Sequence, residues 1–199
     1  TNAISKRYLL KKQKIIIGNG SDELISIIAQ TFLNSTDEAI YTEFGFLQFP
    51  QAISIVGAKG VIANDVNFTA SVDNIISKIN KNTKMIFLAN PNNPTGTFIT
   101  KNEVIRLHEL IPSNILLVYD AAYSEFVVNN NYISGSELVD KHENVIMLRT
   151  FSKLHGLASL RLGWGYASEN IIDNLMKVRG PFSVNTAAIT AGVAALEDL

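Results

Sequence analysis

Seven short apolar runs alternate with segments of helical period, and this alternation limits the fold more than any other feature of the chain. The runs are KIIIG (14–18), EAIYTE (38–43), GVIAND (60–65), KMIFLAN (84–90), ILLVYD (115–120), NVIMLRT (144–150) and RLGWGYA (161–167). Strands that alternate with helices form a mostly parallel sheet through right-handed crossovers. The sequence therefore predicts a three-layer α/β/α fold around a mostly parallel seven-stranded sheet.

Helical spacing of apolar residues supports this prediction between the runs. It is found after the first, third and fourth runs, at Leu24, Ile25, Ile28 and Phe32, at Val72, Ile75, Ile76 and Ile79, and at Val104, Ile105 and Leu107. The runs themselves are almost continuously apolar, which is typical of strands that helices cover on both faces. We therefore expect each strand to be buried on both sides.

Composition narrows the class of protein. With 199 residues, 47% of them apolar, the chain can bury one core, and its formal net charge of −1 gives no general basic surface for nucleic acid. A local cluster of Lys6, Arg7, Lys11, Lys12 and Lys14 is interpreted as a solvated helix face. The chain has no cysteine, and no apolar run is long enough to span a bilayer. We expect a cytoplasmic protein without disulfides, membrane segments or nucleic-acid partners.

Both ends of the sequence indicate a fragment of a longer protein. The chain begins at Thr1 rather than at a methionine. Near its other end, Ile189, Val193 and Leu196 still have helical spacing where the sequence stops. We therefore expect the sequence to be a fragment.

Polar segments follow five of the predicted strands. They are GNGSDE (18–23), FGF (44–46), NPNNPTG (90–96), DAAY (120–123) and TFSK (150–153). Ligands of open α/β sheets bind in the crevice beyond the carboxyl ends of the strands. We therefore expect these five segments to converge on one edge of the sheet and to form a binding site there.

The first segment, GNGSDE, turns from a strand into a helix. Such a turn presents free N–H groups at the positive end of a helix dipole and therefore predicts an anion site. An ordinary Asn-Gly turn with Ser21 as the helix cap is the alternative explanation. The spacing of Gly18 and Gly20 matches neither a P-loop nor the GxGxxG motif.

Two further segments place an amide and an acid at the same edge. NPNNPTG contains two Asn-Pro steps and a glycine, which can hold the Asn93 amide in one orientation; a proline-rich turn is the alternative. Either X-Pro bond is a candidate for the cis form. VYDAAY ends an apolar strand at Asp120, where a buried carboxylate needs a cationic or N–H partner. A helix cap is the alternative role for Asp120.

The segment TFSKLHGLASLRLGW (150–164) carries two cations among small and apolar residues. Partial burial of Lys153 would favour a neutral, nucleophilic amine of the kind that forms Schiff bases. Arg161 offers a planar fork suited to phosphate oxygens, and Ser152 adds a hydroxyl. His108 and His155 lack metal-binding spacing, so we expect no metal site and a structural or lining role for His155.

In this order and spacing, GNGSDE, NPNNPTG, DAAY and TFSKLHGLASLRLGW resemble the fold-type I, pyridoxal-phosphate-dependent aminotransferases over almost the whole chain. Within that family, YTEFGFLQFP, RTFSKLHGLASLRLGW and RGPFSVN are similar to the branch that acts on histidinol phosphate. The resemblance implies amino-group transfer between an amino donor and a 2-oxo acid such as 2-oxoglutarate, with imidazole-acetol phosphate as the acceptor in histidine synthesis. It also implies pyridoxal 5'-phosphate as the cofactor.

The resemblance implies a role for each candidate residue. Lys153 would bond to the cofactor's aldehyde carbon and carry the reacting proton, and Asp120 would pair with the protonated pyridine nitrogen. Tyr123 and Asn93 would bond the ring's 3-oxygen, and Phe44 would stack on the ring face. The phosphate would be held by the backbone N–H groups of Ser21 and Asp22 together with Ser152, Arg161 and Thr150.

The resemblance also defines what the chain would lack. Relatives have an N-terminal segment and a C-terminal small domain that supplies a substrate-binding arginine, so residues 1–199 would form only the cofactor-binding large domain. The family works as a homodimer in which the partner completes each site. Three alternatives remain open: another specificity such as an aromatic aminotransferase, a phosphothreonine-type decarboxylase, and an inert fragment that acts as a binding module.

Overall fold

The structure of the protein is a computed structural model that describes residues 1–198, and it contains all seven predicted strands. They are β1 (Ile15–Asn19), β2 (Glu38–Thr42), β3 (Lys59–Ala63), β4 (Thr83–Ala89), β5 (Leu116–Asp120), β6 (Val145–Thr150) and β7 (Leu162–Ala167). Each strand begins within one residue of its predicted run and ends within two. Runs of β-branched and aromatic residues, which fit a pleated and buried surface, therefore located the strands correctly.

The seven strands form one sheet in the order β1-β7-β6-β5-β4-β2-β3. The pairs β2–β3, β2–β4, β4–β5 and β5–β6 are parallel, whereas β7 runs antiparallel to both β1 and β6. The predicted mostly parallel sheet is thus confirmed. Because β7 is reversed, the residue before it, Arg161, lies at the same edge as the residues that follow the other strands.

Eight α-helices surround the sheet within residues 1–198. They are α1 (Asn2–Tyr8), α2 (Gly20–Phe32), α3 (Gln48–Ile55), α4 (Val72–Ser77), α5 (Lys101–Leu110), α6 (Ser136–Lys141), α7 (Glu169–Val178) and α8 (Thr186–Glu197). The core residues of α2, α3 and α7 pack in one apolar cluster, and those of the other five helices pack in a second. Met85 and Phe87 of β4 belong to the first cluster, and Ile86 and Leu88 belong to the second. The sheet therefore separates two cores, and the predicted three-layer fold is confirmed.

The edge of the sheet departs from the prediction that every strand is buried on both faces. β3 lies at the end of the strand order, and only Ala63 of its five residues is buried. A strand with one neighbour has an edge open to solvent, and charged residues such as Lys59 suit that position. The prediction fails here because an apolar run does not reveal a strand's place in the sheet.

The basic cluster near the start of the chain is only partly a helix face. Lys6 and Arg7 are exposed on α1, but Lys11 and Lys12 lie beyond its end. The side chain of Lys14 is 12% exposed and lies 3.8 Å from an Asp140 carboxylate oxygen. Among residues 1–198, none of the helices combines the length and the apolar character that a membrane crossing requires.

Candidate active site

The five polar segments meet in one open pocket at the carboxyl edge of the sheet. Thirteen residues line it: Ser21, Asp22, Phe46, Ala89, Pro91, Asn93, Asp120, Ala122, Tyr123, Thr150, Ser152, Lys153 and Arg161. Nine of the ten residues selected from the sequence are in this set, and Phe44 is the exception. The structure thus brings the candidates together, while the role of each remains a prediction.

Asp120 lies at the floor of the pocket as the last residue of β5 and is 4% exposed. Its Oδ1 accepts a hydrogen bond of 3.1 Å from the Ala122 N–H. Burial raises the pKa of the Asp120 carboxyl to about 7; the Ala122 N–H opposes this, the Asp22 charge adds to it, and the Lys153 charge opposes it. The carboxylate bonds within its own turn and caps no helix, since the next helical turn begins at Ser124.

Lys153 follows β6 in an irregular segment and faces Tyr123 across the pocket. The Nζ atom of Lys153 is 5.1 Å from the centroid of the Tyr123 ring. Partial burial of this lysine was predicted, but the residue is exposed because the segment that carries it leaves the sheet at Phe151. Its amine is therefore accessible to a ligand without any movement of the backbone.

The first turn of α2 forms one wall of the pocket. The helix begins at Gly20, so Ser21 lies inside it and the alternative in which Ser21 caps the helix is wrong. N–H groups of a first turn have no partner within their own helix and can bind an anion. Gly163 of β7 packs against this turn so closely that a β-carbon there would lie 2.3 Å from the Ser21 nitrogen. A glycine is therefore required at the back of the helix start.

Arg161 places its guanidinium beside the same helix start. Its Nη2 donates a 2.8 Å hydrogen bond to Asp22 Oδ2, and its Nη1 donates one of 2.8 Å to the Ala158 carbonyl. Nη1 also lies 3.4 Å from Ser152 Oγ. Gly20 has a φ of +78°, and a β-carbon there would lie 2.5 Å from Nη2. The ion pair with Asp22 was not predicted from the sequence.

The NPNNPTG segment is rigid, as its sequence indicates. Both Asn90-Pro91 and Asn93-Pro94 are cis. The Asn90 side chain donates to the Ile99 carbonyl and to the Tyr119 hydroxyl, and its carbonyl oxygen accepts from the Ile99 N–H. Asn92 is fixed through its amide to the Phe44 carbonyl at 3.0 Å. These bonds hold the loop in one conformation, with Asn93 at the pocket.

Phe44, the predicted ring-stacking residue, does not line the pocket. Its ring packs on that of Phe68 with centroids 5.2 Å apart, and it borders a neighbouring pocket together with Asn93. Phe46, two residues later, lines the central pocket instead. The two side chains point in different directions because the chain turns after β2. The sequence FGF gives no signal for which phenylalanine points into the pocket.

The remaining lining residues that sequence reasoning missed are small or conformationally restricted. Ala89, Pro91 and Ala122 border the pocket beside predicted residues, and only their positions in the chain could have indicated them.

His155 does not line this pocket; its ring packs on Phe151 with centroids 4.7 Å apart, and burial lowers its pKa. In the part of the chain that the structure describes, no group of three His, Cys, Asp or Glu side chains is arranged to bind a metal ion.

Comparison with known sequences places this geometry in context. A histidinol-phosphate aminotransferase of Rhodopseudomonas palustris is 48% identical over 196 residues, which is 98% of this chain and 54% of the relative. One from Nitrobacter winogradskyi is 46% identical over the same share. The chain thus spans about half the length of the curated relatives it matches.

Comparison with solved structures and with sequence families points to the same family as the similar sequences. The histidinol-phosphate aminotransferase of Sinorhizobium meliloti, solved in complex with pyridoxal-5'-phosphate, superposes with a TM-score of 0.94 at 25% identity, covering 99% of this chain and 54% of that one. The L-threonine-O-3-phosphate decarboxylase of Porphyromonas gingivalis shares the fold, with a TM-score of 0.83 at 23% identity over 98% of this chain and 60% of that one. The sequence matches the family model described as aminotransferase class I and II over residues 1–199. The chain belongs to the class I and II aminotransferase family.

Proposed function

We propose that this chain is the pyridoxal-phosphate-binding domain of an enzyme that transfers amino groups. One observation carries the proposal: an accessible amine, a buried acid and a guanidinium at a helix start line a single pocket. They belong to Lys153, Asp120 and Arg161. Each group suits a different end of the cofactor, whose aldehyde, pyridine nitrogen and phosphate are chemically distinct.

The phosphate end fits the wall formed by α2. The first-turn N–H groups of Ser21 and Asp22 would bind phosphate oxygens, with the guanidinium of Arg161 and the hydroxyl of Ser152 beside them. Gly20 and Gly163 leave the space that a β-carbon would fill. The Asp22 carboxylate, already paired with Arg161 at 2.8 Å, would keep the guanidinium oriented toward the helix start.

The pyridine end fits Asp120. A protonated ring nitrogen beside this carboxyl would lower its pKa from about 7 and keep it ionised, since an opposite charge favours the charged form. When bound, pyridoxal phosphate supplies an electron sink for the bond broken at the substrate's α-carbon. Asp120 would maintain the ring's positive charge, and Tyr123 and Asn93 would donate hydrogen bonds to the ring's 3-oxygen.

The aldehyde end fits Lys153. Its Nζ would act first as the nucleophile that holds the cofactor. It would then accept the proton that leaves the substrate's α-carbon and return it to the cofactor side. Residues Pro91 and Phe46 border the same pocket and would restrict the access of water to this proton.

We propose histidinol phosphate and 2-oxoglutarate as the pair of substrates. The support is the 48% identity to proteins named histidinol-phosphate aminotransferase across 98% of the chain. A homodimer is part of the proposal, supported by exposed apolar side chains such as Phe126 and Phe182, which are 56% and 94% exposed. The cytoplasmic location remains a prediction.

The test is chemical trapping of the cofactor. The protein is incubated with pyridoxal phosphate, reduced with borohydride, digested and mapped by mass spectrometry. The expected result is one cofactor adduct, on Lys153, which is lost in Lys153→Arg. An adduct on another lysine, or no adduct, would contradict the proposal.

A second measurement addresses the reaction. Glutamate added to the loaded protein should convert the bound aldehyde to the amine form, with loss of its visible absorption. Histidinol phosphate should do so more efficiently than phenylalanine or tyrosine. Release of carbon dioxide from phosphothreonine would instead favour the decarboxylase, and no conversion by any amino donor would favour an inert binding module.

A further inference from the structure

A buried ion pair lies behind the pocket and takes no part in the chemistry proposed above. Arg149 Nη2 is 2.5 Å from Glu125 Oε1, and the two side chains are 7% and 13% exposed. A buried pair gains little stability over apolar residues of the same size, because both charges must leave water. Its presence so close to the pocket therefore calls for a role other than stability.

The pair joins the two segments that carry Tyr123 and Lys153. Glu125 lies in the helical turn Ser124–Phe126, directly after Tyr123, and the Phe126 N–H bonds back to the Tyr123 carbonyl at 3.1 Å. Arg149 is the second-last residue of β6, four positions before Lys153. The ion pair is thus a direct link between the Tyr123 turn and the Lys153 segment.

The guanidinium of Arg149 is fixed by aromatic rings as well as by Glu125. Its central carbon lies 5.3 Å from the centroid of the Tyr8 ring and 5.8 Å from that of Trp164. Its Nε is buried without a hydrogen-bond partner among residues 1–198. The hydrogen bond from Nη2 to Glu125 ties the position of the guanidinium to that of the Glu125 carboxylate.

Neighbouring residues of β6 point to opposite faces of the sheet. Thr150 lines the pocket, whereas Arg149 contacts Tyr8 and Trp164 on the other side. The ion pair therefore lies behind the pocket, and neither Glu125 nor Arg149 is among the residues that line it. Any influence it has on the chemistry passes through Tyr123 and Lys153.

We propose that Arg149 and Glu125 are positioning residues that hold the Tyr123 ring at its distance from the Lys153 amine. The proposal rests on the function proposed above. Loosening the pair would displace the Tyr123 side chain, which is the proposed hydrogen-bond donor to the 3-oxygen of the cofactor. A hydrogen bond to an anionic oxygen favours the unprotonated, charged form of that oxygen. Loss of the bond would therefore raise the pH at which the cofactor bound to Lys153 releases its proton.

The experiment measures the pH midpoint of the visible absorption of the protein loaded with pyridoxal phosphate. Glu125→Gln keeps the shape of the side chain and removes its charge, and we expect its midpoint to rise by about half a pH unit or more. Tyr123→Phe should raise the midpoint as well. In the Tyr123→Phe background, Glu125→Gln should add almost nothing, because residues that act through one another are not additive.

Controls separate positioning from general destabilisation. Glu103→Gln removes one of the two carboxylate partners of Arg106, in an ion pair of 2.8 Å that lies outside the pocket, and it should leave the midpoint unchanged. Where Glu125→Gln fails to fold, Arg149→Lys keeps the charge and removes the planar fork, and the same upward shift is expected. Unfolding temperatures and the fluorescence of Trp164, the single tryptophan, verify that each variant is folded.

Two outcomes overturn the proposal: a folded Glu125→Gln or Arg149→Lys protein with the original midpoint, or a full additional shift in the Tyr123→Phe background. Failure of the proposed function gives a different result, since the unaltered protein would then form no adduct on Lys153. An adduct with unshifted midpoints therefore contradicts the positioning role alone.

Discussion

Two buried carboxylates lie at opposite edges of the sheet and differ in their partners. Glu38, the first residue of β2, is 8% exposed and accepts bonds of 2.8 Å from Lys59 and 2.7 Å from the Asn80 amide. These two bonds lower its pKa. Asp120, the last residue of β5, is 4% exposed and has one backbone N–H as its bonded partner, and burial raises its pKa to about 7.

This difference supports the proposed ligand site at the carboxyl edge of the sheet. At the amino edge, Lys59 and Asn80 supply the hydrogen bonds that the buried Glu38 carboxylate needs, so no ligand is required there. At the carboxyl edge the Asp120 carboxyl is buried, and no cationic side chain among the described residues hydrogen-bonds to it, which is unfavourable for the protein alone. A cationic ligand group beside Asp120 would remove that cost.

Substitution of the lysines at the two edges should give the largest contrast. Lys153→Ala should lower kcat by about 10⁴-fold, since Lys153 is the proposed nucleophile and the proposed proton carrier. Lys59→Ala, at the amino edge, removes a lysine that is 70% exposed and should leave kcat unchanged. Steady-state kinetics with histidinol phosphate measure both. Equal losses of kcat in the two variants would contradict the assignment of the active site to the carboxyl edge.

Amide substitutions of the two carboxylates should have opposite effects on the stability of the cofactor-free protein at pH 8. Asp120→Asn should stabilise the fold by up to about 4 kcal/mol, because each pH unit between the ordinary pKa and the raised one corresponds to about 1.4 kcal/mol. Glu38→Gln should destabilise it by about 1 kcal/mol, since it loses charge-assisted bonds to Asn80 and an exposed lysine. Urea unfolding measures both.

The pH dependence follows from the directions of the two pKa changes. Folded Asp120 keeps a proton that the unfolded chain releases above its ordinary pKa of 3.8, so its contribution to stability falls as pH rises from about 4 to about 7. Glu38 contributes stability above its ordinary pKa of 4.5 and loses it as pH falls through the lowered value. A destabilising Asp120→Asn at pH 8 would show that the carboxyl has partners beyond those described.

Glycine substitution should give the smallest contrast. Gly163→Ala places a β-carbon 2.3 Å from the Ser21 nitrogen, so the start of α2 must shift, at a cost of about 1 to 3 kcal/mol. We expect weaker binding of pyridoxal phosphate, measured by spectroscopic titration. Gly180→Ala is the matched control, because no atom lies within 4 Å of its added carbon and no positive φ restricts it. Unchanged affinity in Gly163→Ala would show that the helix start does not hold the phosphate.

Local patterns predicted much of the fold and of the site. The strands were found because each is a short run rich in apolar residues, and the site followed from one rule about strand ends. Asp120 and Lys153 were identified in this way. The helices α3, α6 and α7 were not predicted from apolar spacing, although α7 has buried residues at Ile171, Ile172 and Leu175.

Contacts between distant segments were beyond such patterns. The ion pair of Asp22 with Arg161 joins residues 139 positions apart, and that of Glu125 with Arg149 joins residues 24 apart. The exposure of Lys153 depends on how its segment leaves the sheet, and no local pattern encodes that path. Side-chain direction in a turn was equally inaccessible, since Phe44 and Phe46 differ only in which way they point.

The place of β7 between β1 and β6 has a consequence for synthesis on the ribosome. Within residues 1–198, β1 pairs with β7 alone, so Ile15 to Asn19 have no sheet partner until the chain has been made as far as Ala167. Pairing across so long a separation in sequence is slow, because the intervening loop must close first. β1 therefore remains unpaired while the parallel strands form, and the start of α2, against which Gly163 of β7 packs, is completed only after β7 has been made.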